Sequence, residues 1–128
     1  MIGIDIVELA RFERFLQRFG KRALQRYLSA EEISLVTSER TAAGFFAAKE
    51  AVAKALGTGI GKSCSFFDIR LHKEASGAPW FTLSSEIVET FKITESALSI
   101  SHDGGFAIAV VHLVSCQKNH RPLSHEQL

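Results

Sequence analysis

The segment Thr41 to Leu56 reads as a helix with almost no polar face, and that limits the folds open to the chain. It holds seven alanines and ends at Gly57, a residue suited to the left-handed C′ position. Its only charged residues are Lys49, Glu50 and Lys54, and apart from Thr41 and Gly44 the rest are apolar. Such a helix must lie at the centre of the molecule with other elements covering it. Charges carried on it are costly unless they are paired or bound to an ion.

The flanking patterns supply the cover. Ile2 to Val7 reads as a short buried strand, and Leu9 to Phe19 as a helix with Phe12, Phe15, Leu16 and Phe19 on one stripe and Gly20 as its stop. Lys21 to Leu28 predicts a second short helix, and the capping-box run Ser29-Ala30-Glu31-Glu32 opens another to about Thr37. Phe66 to Lys73 and Pro79 to Leu83 read as strands joined at Ser76-Gly77. Ser84-Ser85-Glu86 starts a helix to about Phe91, and Ala97 to Ser101 with Phe106 to Val114 form a hairpin around Asp103-Gly104-Gly105. The expected fold is α+β, a mainly antiparallel sheet on a long central helix with additional short helices. A chain of 128 residues makes one domain, taken as 1–116, followed by a polar C-terminal tail, 117–128.

The formal net charge of +1 gives no global field toward nucleic acid or a membrane, so electrostatic recognition must come from a local patch. Asp5 and the lack of a long apolar run argue against a signal peptide or a membrane span. Cys64 and Cys116 lack the spacing of a zinc site or a disulfide framework. The expectation is a cytoplasmic protein with reduced thiols.

Two carboxylates sit in apolar elements. Strand alternation puts Gly3, Asp5 and Val7 on one face and Ile2, Ile4 and Ile6 on the other. Asp5 is then either a solvent-facing strand-end acid or an acid in need of a partner. Glu50 and Lys54, one turn apart, make either an ordinary surface ion pair or part of a site. A magnesium ion shared by Asp5 and Glu50 would satisfy both carboxylates, because magnesium takes one or two of them together with waters and phosphate oxygens. Gly57-Thr58-Gly59-Ile60-Gly61 fits neither the P-loop nor the dinucleotide fingerprint, since it leaves a helix instead of entering one. It is a plain turn or a backbone free to approach a ligand. His102 is either a phosphate or adenine contact or a histidine that caps backbone groups. Residues 11–26 carry Arg11, Arg14, Arg18, Lys21, Arg22 and Arg26 against one acid, Glu13. Arg11, Arg14 and Arg18 share a helix face, which is either a solvated surface or a dock for an acidic partner.

In order and spacing these pieces resemble the holo-acyl-carrier-protein synthase family, the small bacterial phosphopantetheinyl transferases. Gly3-Ile4-Asp5-Ile6 with Arg11 resembles its opening motif. Phe46-Ala47-Ala48-Lys49-Glu50-Ala51, then Lys54 and Gly57-Thr58-Gly59, resembles its central signature. Gly77-Ala78-Pro79 and Ser99-Ile100-Ser101-His102 resemble its later landmarks. The resemblance implies transfer of 4′-phosphopantetheine from coenzyme A to a serine of apo-acyl carrier protein, releasing 3′,5′-ADP, in fatty acid biosynthesis. It implies Asp5 and Glu50 as magnesium ligands and Glu50 and Lys54 as catalytic. Lys54, Gly57, Thr58, Gly59 and His102 become coenzyme contacts. Arg11, by resemblance, faces the carrier, a role extended here to the rest of its basic face, Arg14, Arg18 and Arg22. A homotrimer with active sites at subunit boundaries is also implied. In many members an arginine that contacts the 3′-phosphate stands where this chain has Phe45, so Arg40, Lys62 or another base must compensate. The rivals are a non-catalytic module for a nucleotide or acidic protein, and a magnesium-dependent hydrolase of coenzyme A.

Overall fold

A computed structural model describes residues 1–116. The expected tail lies outside the described residues. The order is β1 (Ile2–Glu8), α1 (Leu9–Phe19), α2 (Lys21–Gln25), α3 (Ala30–Ile33), α4 (Glu39–Leu56), a 3-10 turn (Phe66–Asp68), β2 (Ile69–Lys73), β3 (Pro79–Leu83), α5 (Ser85–Phe91), β4 (Ile93–Asp103) and β5 (Phe106–Ser115). β1, β5 and β4 form one antiparallel sheet in that order, with Asp5 opposite Ala109 and Ile100 also opposite Ala109. β2 and β3 form a separate hairpin. This is the α+β arrangement expected, divided into two sheets.

α4 is the centre of the core, with twelve buried residues from Ala42 to Leu56. It begins two residues before the expected Thr41, because the Ser38 hydroxyl caps it by accepting from the Thr41 amide at 3.2 Å. The two short helices are shorter than their patterns suggested, α2 ending at Gln25 and α3 at Ile33, each followed by tight turns. Phe66 to Asp68 is not strand. Ser65 and Asp68 cap each other's backbone there, closing a 3-10 turn before β2 starts at Ile69. β4 is longer than expected, running from Ile93 to Asp103.

One face of the sheet covers α4 through Gly3, Ala107, Ala109, Val111 and Leu113. The other face leaves Ile2, Ile4 and Ile6 exposed at 72%, 57% and 59% in the single chain, with Val110 beside them. The alternation expected along β1 is therefore present, with apolar residues on both faces. Among the described residues no helix is long and apolar enough to cross a membrane.

Lys49 is fully buried on α4. Its ammonium donates to Tyr27 O at 2.7 Å, Glu32 Oε1 at 2.9 Å and Phe66 O at 2.9 Å. Burial pulls its pKa down and the Glu32 carboxylate pushes it back up. Glu32 also accepts from the Ser29 and Leu71 amides, so α3, α4, the 3-10 turn and β2 share one polar knot. The knot fixes the rotation of α4 about its axis. The next residue, Glu50, is thereby turned outward.

Candidate active site

β1 crosses α4 at a distance only glycine allows. A Cβ on Gly3 would stand 1.8 Å from Ala51 O and 2.6 Å from Ala55 N. Two residues along the same strand face, this crossing delivers Asp5 to the turn of α4 that carries Glu50 and Lys54. Lys54 Nζ donates to Asp5 Oδ1 at 2.8 Å, and the Asp5 side chain is only 14% exposed. The ordinary surface pair Glu50–Lys54 is not what forms. Lys54 reaches across to the strand instead.

Glu50 keeps its carboxyl above the usual carboxylate range. Burial is the larger cause and the charge of Asp5 the second, while Lys54 opposes both. Two carboxylates thus share one neighbourhood with a single ammonium, which favours binding of a further cation. Among the described residues no three His, Cys, Asp or Glu side chains gather into a metal cage. Asp5 and Glu50 alone suit a hard cation that keeps waters and completes its shell with a ligand's oxygens, as magnesium does.

Both carboxylates line a cleft of about 710 Å³. Its walls are Phe12, Phe15, Tyr27, Phe46 and Phe66, most of them in mutual edge or tilted contact. Arg11 and Arg26 also line it. Arg26 lies 4.5 Å over the Phe19 ring, and Arg18 5.2 Å over the same ring. Arg11, Arg14, Arg18 and Arg22 are all exposed, as a docking face requires. Sequence reading counted Arg26 among the basic residues without marking it as part of the site. Its signal was the spacing Phe15, Phe19, Arg26 across the Gly20 break, visible only once α2 folds back on α1.

Gly57 and Gly59 both take positive φ, 80° and 64°, at the end of α4. The Gly57, Thr58 and Gly59 amides return to the last turn, to Lys54 O and Ala53 O, and the Thr58 hydroxyl donates to Gly59 O at 2.8 Å. The loop begins one turn beyond Lys54.

His102 stands elsewhere. It lies on β4, with β5 between it and β1, so Asp5 and His102 are on strands about 10 Å apart. Its Nε2 donates to Arg40 O at 2.9 Å, and it rests against Gly44, where a Cβ would meet Nε2 at 3.2 Å. Within one chain His102 does not meet the Asp5–Glu50–Lys54 group. Of the bases that might serve at Phe45, Arg40 is exposed at the start of α4 and Lys62 is exposed beyond its end. Lys73, on β2, holds its ammonium 5.7 Å from the centre of the Phe45 ring.

A family model described as the 4′-phosphopantetheinyl transferase superfamily matches residues 1–111. The chain belongs to that superfamily. The holo-[acyl-carrier-protein] synthase of Sulfurimonas denitrificans is 51% identical over 119 residues, covering 93% of this chain and 98% of that relative. That of Nautilia profundicola is 54% identical over 114 residues, covering 89% and 99%. Among solved structures, Helicobacter pylori holo-[acyl-carrier-protein] synthase in complex with coenzyme A matches with a TM-score of 0.86 and 51% identity, covering 89% of this chain and 100% of that one. The phosphopantetheinyl transferase fold is thus shared over nearly the whole described chain.

Proposed function

We propose that this phosphopantetheinyl transferase moves the 4′-phosphopantetheine group of coenzyme A onto a serine of apo-acyl carrier protein, with magnesium as cofactor. The observation that carries the reading is Asp5 beside Glu50 at an aromatic cleft, with Lys54 bound to Asp5 and a glycine loop one turn further on. Relatives of about this length and half its sequence are named holo-[acyl-carrier-protein] synthase, and one was solved with coenzyme A.

In the proposed reaction the serine oxygen bonds to the β-phosphorus of coenzyme A. The bond from that phosphorus to the bridging oxygen breaks, and 3′,5′-ADP leaves with the electron pair. Such transfer needs positioning and charge neutralisation more than covalent help from the protein. Asp5 and Glu50 would hold magnesium, which when bound neutralises the diphosphate and polarises its oxygens. Lys54 offsets charge that builds on the leaving diphosphate. Gly57, Thr58 and Gly59 let backbone approach the coenzyme, and the His102 that contacts it comes from a neighbouring copy. Glu50 accepts the serine proton directly or through a water it orients.

Arg11, Arg14, Arg18 and Arg22 form the face for the acidic carrier. The exposed Ile2, Ile4 and Ile6 face supports a homotrimer, in which a neighbouring copy would bring its His102 to the carboxylates. A cytoplasmic location suits the free thiols of Cys64 and Cys116.

One assay tests the whole reading. The protein is mixed with apo-carrier, coenzyme A and magnesium, and the carrier is weighed. Gain of one phosphopantetheinyl group is expected. An unchanged carrier overturns the transferase reading, and free phosphopantetheine beside it would mean a hydrolase.

A further inference from the structure

Coenzyme A carries three phosphates, and the proposed site accounts for two. The diphosphate faces Lys54 and the Gly57–Gly61 loop. The third, on the ribose, needs its own cation. Lys73 is half-buried on β2, and its ammonium stands over the ring of Phe45. Among the described residues no carboxylate lies within ion-pair distance of it, and the other lysines and arginines without such a partner are all exposed, whereas Lys73 is not. Phe45 is itself 2% exposed, so the ring is a fixed floor rather than a mobile surface group. His102 rests on Gly44, the adjacent residue of α4, so Lys73 and His102 flank the same turn. A partly desolvated ammonium with an aromatic on one side and no anion on the other is prepared for an anionic ligand.

We infer that Lys73, seated on Phe45, is the cation that receives the ribose 3′-phosphate of coenzyme A. The inference rests on the proposed transferase reading, which makes His102 a coenzyme contact. It assigns a role to Lys73 and leaves Arg40 and Lys62 out of that contact.

The test compares two ligands that differ only in that phosphate. Calorimetric Kd values for coenzyme A and dephospho-coenzyme A are measured with magnesium for wild type, Lys73→Met and Lys73→Arg. Wild type is expected to prefer coenzyme A. Lys73→Met should weaken coenzyme A by about tenfold or more and leave dephospho-coenzyme A unchanged, because one charge-assisted hydrogen bond is lost. Lys73→Arg should keep the preference. The ratio of the two Kd values does not depend on the fraction of protein folded. A Lys73→Met protein with the wild-type ratio overturns the inference, and so does equal weakening of both ligands. A wild type that transfers no group to the carrier sinks the transferase reading itself, which is a separate result.

Discussion

The Lys49 ammonium and the Glu32 carboxylate meet at 2.9 Å with neither side chain exposed beyond 1%, and the residue after Lys49 is Glu50. A buried pair of this kind is held by what each partner does besides pairing. Glu32 takes two backbone amides and Lys49 two backbone carbonyls. Removing one partner strands the other. Lys49→Met or Glu32→Gln alone is expected to cost about 3–5 kcal/mol in urea unfolding. The double variant should cost clearly less than the sum of the two. Additive losses would mean that the two side chains act independently.

Gly3 is replaceable only by moving the strand. In Gly3→Ala the new methyl would collide with the Ala51 carbonyl, a backbone atom that cannot rotate away. Stability should fall by about 1–3 kcal/mol, as overpacking generally costs. Transfer should fall further than stability explains, since β1 is what carries Asp5 to Glu50. The check is kcat measured at a temperature where the variant is fully folded.

Much of this was legible in the residues. The near-continuous apolar character of Thr41–Leu56 marked the central helix, and alternation in Ile2–Val7 put Gly3, Asp5 and Val7 on one face without saying whether that face turns to solvent or, as it does, toward α4. What the residues did not display was contact between distant segments. Lys54 had an acceptable partner one turn away in Glu50, and helix geometry gives no reason to prefer Asp5. Only the close crossing at Gly3 does. Lys49 announced a buried charge, but Glu32 was already explained as a capping-box residue. It performs both tasks, because its two oxygens face different elements. The 3-10 turn at Phe66–Asp68 was hidden by its apolar aromatic pair, which reads as strand until Ser65 and Asp68 are seen to cap each other.

The exposed isoleucine face gives a prediction about assembly. Ile4→Lys combined with Ile6→Lys alters side chains that are more than half exposed in one chain, so the subunit should stay folded. If the proposed homotrimer forms through this face, sedimentation should change from trimer in the wild type to monomer in the variant, and transfer should drop with it. A variant that still sediments as wild type would remove this face from the interface.

Arg14 and Arg18 lie one turn apart on the exposed side of α1. Arg14→Glu with Arg18→Glu should raise the carrier KM by about tenfold or more and flatten its dependence on salt, while the Kd for coenzyme A stays as it was. Equal carrier KM in variant and wild type would reduce this face to solvation.

Asp5 and Glu50 carry the strongest expectation. Asp5→Ala also releases Lys54 from its 2.8 Å partner, and Glu50→Ala removes a carboxyl that burial already strains. Neither substitution opens a large cavity, so both proteins should keep wild-type circular dichroism. Transfer should fall by about 100-fold or more in each, as loss of a group that positions and neutralises the reacting phosphates would require. Thermal stabilisation of the wild type by magnesium with coenzyme A should shrink in both variants, a readout independent of turnover. If either variant turned over near normally with magnesium, two carboxylates brought together by one glycine crossing would be a packing accident, and the cation would have to be held elsewhere.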